Sequence, residues 1–284
     1  MRKIRRILAV IFAFIAFASQ GTEAQVLYGA DGEGGNLANL YVLNPATGAI
    51  VSTIGPIGFS VTGLAFQPST GVLYGTTGAA VGTPSLIRIN TTTGAGTLIG
   101  PNGTGPVADI TFRADGTLFG WTQASFDLVT VNLVTGTATV VGDAGISTNG
   151  SGIAFSPAGI LFFAGSNSNG ALRTINPATG APTTVVTLNG GPSPSPVNAL
   201  AFNGDGVLYG SVRGSGFPTF TAGFLVTINT TTGLVTNLGT TVPRLDAIAF
   251  RPAPPAPVPA LSQWAMIALG VLVVGSFLLL RRRA

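Results

Sequence analysis

The chain has 284 residues with 13 Lys and Arg against 9 Asp and Glu, a formal charge of +4 that on its face suggests nucleic acid or an acidic membrane as partner. It has no Cys and no His, which excludes zinc sites of the usual kind, disulfides and Cys/His catalytic pairs. Its one Lys is Lys3, so no Schiff-base or P-loop lysine exists beyond the first residues, and acid–base chemistry is left to Asp or Tyr.

The charge is concentrated at the two ends. Arg2, Lys3, Arg5 and Arg6 open the chain and Arg281, Arg282 and Arg283 close it. Between residues 25 and 252 six Arg face eight acids, a net −2, and the nucleic-acid reading loses its support. Residues 1–24 read as a secretory signal peptide. A basic head precedes an apolar run from Ile7 to Ala18, and small residues mark cleavage points after Ala18 or Ala24. Ala24 is preferred because strand-like sequence starts at Val26.

Five copies of one pattern fill residues 25–250. Each has a strand ending in Phe, at Phe66, Phe112, Phe155, Phe202 and Phe250, with spacings of 46, 43, 47 and 48 residues. A tight turn such as Ala114-Asp115-Gly116 or Gly204-Asp205-Gly206 follows. A second strand then carries Tyr28, Tyr74, Phe119, Phe162 or Tyr209. A third runs into Asn-x-x-Thr-Gly, beginning at Asn44, Asn90, Asn132, Asn176 and Asn229, and a Thr/Val-rich fourth leaves it. Asn and Asp close turns through their side chains, and Gly accepts the left-handed backbone there. Alternating β-branched and aromatic residues suit half-buried strands. Four strands per repeat of about 45 residues is the propeller-blade pattern; a β-solenoid would use shorter coils. The body starts on a second strand and ends on a first. The last strand therefore supplies the missing inner strand of blade one, which predicts an all-β, five-bladed propeller of twenty strands. The repeat style resembles YVTN- and NHL-like propellers, with Phe155-Ser156-Pro157-Ala158-Gly159 close to their characteristic turn.

Residues 251–259 hold five prolines and read as an extended spacer. Residues 264–280 read as a transmembrane helix capped by the three arginines, which with the basic head places the body outside the cytoplasm. Val258-Pro259-Ala260-Leu261-Ser262-Gln263-Trp264, a hydrophobic helix and then Arg281–Arg283 resemble the IPTL-CTERM sorting signal of Gram-negative bacteria, a variant of the PEP-CTERM system. That family's consensus is Ile-Pro-Thr-Leu-Ser-Glu-Trp, and four of seven positions match. The resemblance implies an exosortase-like processing enzyme, at least transient contact with the inner membrane, and delivery to the cell envelope, cell surface or extracellular matrix.

The turns between first and second and between third and fourth strands are short and uniform. The loops on the opposite rim vary, among them 30–36, 76–85, 121–126 and 211–223, and 55–62, 100–107, 142–150, 189–197 and 239–244. A rigid scaffold presents a ligand site on such a rim. The candidates there are Trp121, Phe217 and Phe220 for stacking on sugar rings, with Arg213 and Arg244 for acidic sugars. Asp109, Asn198 and Asp246 are placed just before the inner strands, ringing the mouth of the axial channel, where several oxygens would suit Ca²⁺, and Asp31 with Glu33 forms an acidic glycine loop of the same character. The expected function is non-catalytic binding of polysaccharide or an envelope protein; the alternative is a Ca²⁺-dependent hydrolase or lyase with its site at the axial mouth.

Overall fold

The structure, a computed structural model, describes residues 25–32, 37–147, 151–165, 170–192, 197–213 and 223–253. Residues 1–24, the expected signal peptide, residues 254–284 with the expected transmembrane helix, Glu33, Phe217 and Phe220 lie outside these residues.

Five antiparallel sheets form the blades. Blade one joins β21 (Leu245–Phe250), β1 (Leu27–Asp31), β2 (Asn39–Leu43) and β3 (Ile50–Pro56), from the centre outward. Blade two is β4 (Val61–Phe66), β5 (Leu73–Thr77), β6 (Ser85–Ile89) and β7 (Gly96–Pro101). Blade three is β8 (Val107–Phe112), β9 (Leu118–Thr122), β10 (Asp127–Val131) and β11 (Ala138–Asp143). Blade four is β12 (Ser151–Phe155), β13 (Leu161–Gly165), β14 (Ala171–Ile175) and β15 (Pro182–Thr187). Blade five is β17 (Val197–Phe202), β18 (Leu208–Arg213), β19 (Gly223–Ile228) and β20 (Leu234–Thr241).

The expected closure is present: β21 pairs antiparallel with β1, Leu27 opposite Phe250. The inner strands pack side by side in the closed ring β21–β4–β8–β12–β17. One strand was not anticipated. The two-residue β16 (Asn189–Gly190) pairs in parallel with the start of β20 and carries the link from blade four onto blade five.

The core is divided among the five seams between blades rather than gathered at one centre. At every seam an aromatic of a second strand meets the Phe of the next inner strand. The pairs are Tyr28–Phe66, Tyr74–Phe112, Phe119–Phe155, Phe162–Phe202 and Tyr209–Phe250, with centroids 4.8 to 5.6 Å apart. Such pairs add about 0.5–1.5 kcal/mol each beyond the area they bury. The outer strands are mostly exposed, and each pairs with its third strand through a register shift. A bulge of this kind bends the strand and increases its twist. Ile54, Ile99, Val141 and Leu238 are thereby half-buried against the seams.

The Asn-x-x-Thr-Gly turn is made the same way five times. The Asn side-chain oxygen accepts the N–H two residues on, at 2.8–2.9 Å, and the Gly N–H donates back to the Asn carbonyl at 2.8–2.9 Å. The glycine has a second duty. At Gly136 (φ 79°) a Cβ would stand 2.2 Å from the carbonyl oxygen of Gly100 in the preceding blade's outer strand, and a Cβ on Gly100 would meet Thr135 O at 2.2 Å. The same backbone-to-backbone clasp recurs between Gly55 and Gly94, Gly142 and Gly180, and Gly239 and Gly48.

Candidate functional site

Counting back from the Phe of each inner strand explains what reaches the axis. The N–H after the Phe donates to the residue just before the second strand: Gln67 to Val72, Arg113 to Thr117, Ser156 to Ile160 and Asn203 to Val207. Antiparallel alternation then turns the N–H of the Phe, and of the residue two before it, toward the axis. Those latter residues are Leu64, Ile110, Ile153, Leu200 and Ile248.

Asp109 stands three before its Phe, where the other blades have Gly63, Gly152, Ala199 and Ala247. Room explains the small residues: a Cβ on Gly152 would lie 2.6 Å from Leu200 N, and one on Gly63 2.7 Å from Asp109 Cα. The Asp109 side chain is 0% exposed. Its Oδ1 accepts Ile110 N at 2.9 Å, and its Oδ2 accepts Ile153 N at 3.0 Å and Leu200 N at 3.3 Å. One carboxyl thus ties β8 to its neighbour β12 and, across the axis, to β17. Burial pushes its pKa well above the usual carboxylate range; the three amides pull it down in part, and the charge of Asp246 pushes it further up. On the turn side of Asp109 a cavity of about 130 Å³ is lined by the ends of the inner strands, where Thr111 Oγ1 accepts Phe155 N at 3.2 Å.

Asp109, Asn198 and Asp246 therefore lie within inner strands rather than before them. Asn198 is buried, Asp246 is half-buried, and both are engaged by neighbouring groups. Asp31 accepts Asn39 N at 2.7 Å and the Tyr41 hydroxyl at 3.2 Å, and burial together with the Asp31 charge raises the Tyr41 pKa to about 12. Both oxygens of Asp109 accept amides, and those of Asp31 accept an amide and a hydroxyl, so each of these carboxylates is engaged within the fold. No group of three or more Asp, Glu, His or Cys suited to a metal occurs among the described residues.

Trp121 does not present a stacking face. It is 0% exposed and packs on Phe163, centroids 4.3 Å apart, inside the seam between blades three and four. Arg213 is the last residue of β18, opposite Gly223. Arg244 lies in the turn before β21 with φ 61°, half-buried and engaged by neighbouring groups. It shares its left-handed backbone with Phe126 (φ 60°) in the loop before β10, and these are the described non-glycine residues with positive φ. Both sit on the variable rim, whose loop after β5 also carries a single 3-10 turn, Ala79–Val81. Charge alone did not distinguish the role of Asp109. The signal that would have is the small residue at its position in the other four blades.

A family model described as the IPTL-CTERM motif matches residues 256–284, which contain the sorting-motif residues Val258–Trp264 and Arg281–Arg283. No curated protein sequence matches the chain. Among solved structures it is similar to one from a nidogen/laminin complex, with TM-score 0.55 and 17% identity, covering 81% of this chain and 98% of that one. It is also similar to TolB from Acinetobacter baumannii, with TM-score 0.50 and 12% identity, covering 81% and 67% of the two chains. For a putative TolB from Agrobacterium tumefaciens the values are 0.50, 12%, 80% and 91%. At these identities the likeness concerns the fold alone. The chain is a five-bladed β-propeller that carries an IPTL-CTERM motif at its C-terminal end.

Proposed function

We propose that this is an exported, envelope-sorted propeller that works by binding rather than by catalysis, and that its ligand, a polysaccharide or an envelope protein, is held on the variable loop rim. The sorting motif supports the address and an exosortase-like enzyme as processing partner. The observation that carries the binding reading is the contrast between rims: turns built alike five times on one face, and on the other, loops of unequal length with Phe126 and Arg244 held in left-handed backbone. Strain of this kind costs about 1–3 kcal/mol and gathers where a surface has a task. The sequence has no Cys and no His, and the buried Asp109 is engaged by three amides, which supports binding over catalysis.

Two measurements test this. Trp264→Ala, or removal of residues 258–284, is expected to change the balance between retained and released protein in the native host; unchanged localisation overturns the sorting reading. A glycan-array and envelope pull-down screen of the mature protein is expected to give a ligand whose binding is lost on replacing residues 122–126. A ligand indifferent to every rim loop overturns the rim assignment.

A further inference from the structure

On the turn face the residue after the inner-strand Phe differs between blades: Gln67, Arg113, Ser156, Asn203 and Arg251. In blade three, Arg113 follows the inner-strand Phe, and its guanidinium lies over the ring of Phe119, 5.3 Å from the centroid. Asp115 holds it there, accepting from both Nε (2.9 Å) and Nη2 (2.5 Å), with Thr117 Oγ1 alongside at 3.4 Å. In blade two the equivalent ring, Tyr74, is covered by Arg88 at 5.9 Å. In blade four the residues at the Arg113 and Asp115 positions are Ser156 and Ala158, so the turn brings neither cation nor anion to Phe162. The blade's one arginine, Arg173, is bonded to Thr184 at 2.7 Å. Phe162 keeps 8% of its surface exposed, against 2% for Phe119 under its arginine.

A cleft of about 360 Å³ lies between the Ser156–Ile160 and Gly204–Gly206 turns. Phe162 and Phe202 contribute to its walls, and Ser156 and Thr230 bring hydroxyls. From the next blade comes the Asp205 carboxylate, which is exposed and receives one long bond from Asn203 Nδ2 at 3.4 Å. Ring, carboxylate and hydroxyl are the groups that hold Arg113 one seam earlier. We infer that this cleft takes a guanidinium from outside, the arginine side chain of a partner polypeptide, in the place Arg113 fills from within. Planar guanidinium suits the site better than ammonium, because it stacks on a ring face while its edge donates to a carboxylate. This is a second surface, on the face opposite the rim, and does not depend on the rim assignment.

The test is titration of the ¹⁵N-labelled mature protein with Nα-acetylarginine amide, and with the uncharged Nα-acetylcitrulline amide as its isostere. Saturable shifts at Gly159, Gly204 and Gly206 are expected with the arginine compound in the millimolar range, and about tenfold weaker binding of the citrulline one. Asp205→Asn is expected to weaken arginine binding about five- to tenfold. Ser156→Arg is expected to abolish it by filling the cleft as Arg113 does, with the spectrum of distant residues unchanged. Equal binding of both compounds, undiminished binding in Ser156→Arg, or no saturable shift in the wild type would each overturn the inference. If Ser156→Arg does not fold, the exposed Asp205→Asn variant decides.

Discussion

The two faces of this propeller obey different rules. On the turn face the chain solves one problem five times with nearly the same letters, since each turn must also clasp the neighbouring blade backbone against backbone. On the loop rim the blades are joined by connections of unequal length, and residues such as Val81 stand exposed. Uniformity is therefore the mark of assembly and variation the mark of freedom. Within the uniform face the side chain after the inner-strand Phe still varies, Arg113 in one blade and Ser156 in the next, and that difference is as informative as a whole variable loop.

The sharpest way to break this contrast is to put a side chain into the clasp. Gly136→Val combines a left-handed φ with a Cβ 2.2 Å from the Gly100 carbonyl oxygen. It is expected to destabilise by about 3 kcal/mol or more, read as a lower urea midpoint. A smaller effect is expected at the axis. Because burial raises the Asp109 pKa in the folded protein above that of the unfolded chain, the folded state binds the proton more tightly. The associated stability is fully present below about pH 4, the unfolded value, and falls as pH rises toward the raised folded value, by at most about 1.4 kcal/mol per pH unit. Asp109→Asn removes this slope. Wild-type stability rising with pH in that window, relative to Asp109→Asn, would mean that the three amides outweigh burial. The smallest effect is expected on the rim. Val81→Ser, at an exposed site, is expected to leave stability within about 0.5 kcal/mol in the same urea measurement. A larger loss there would erase the distinction between the faces.

Most of the architecture was legible because a repeat states its pattern five times. The Phe spacing gave the blades, and the phase of the first and last strands gave the closure of β21 on β1. What escaped was whatever depends on how neighbouring blades touch. The Thr-Gly of each turn is readable as turn chemistry, but its contact with the backbone of the preceding blade's outer strand requires the blade twist in three dimensions. Trp121 has the letters of a sugar-stacking residue, yet the alternation along β9 turns it into the seam against Phe163. Asp109 looks like a ligand for a cation, whereas the inward-facing edges of three strands make it the acceptor of their amides. The two-residue β16 has no propensity signal at all, being held in place by Asn189 N donating to Gly233 O.

The pairing of residue 27 with residue 250 also sets a timetable. Blade one has its second, third and fourth strands from early in the chain, but its inner strand is the last one made. Until Leu245–Phe250 arrives, β1 has an open edge and the ring of inner strands has a gap. Bringing together ends so far apart in sequence is a slow kind of contact to form. The segment that completes the ring runs at once into residues 256–284, which bear the sorting motif. A chain cut short anywhere before Leu245 is thus both unfinished and unaddressed, so completion of the fold and possession of the address arrive together.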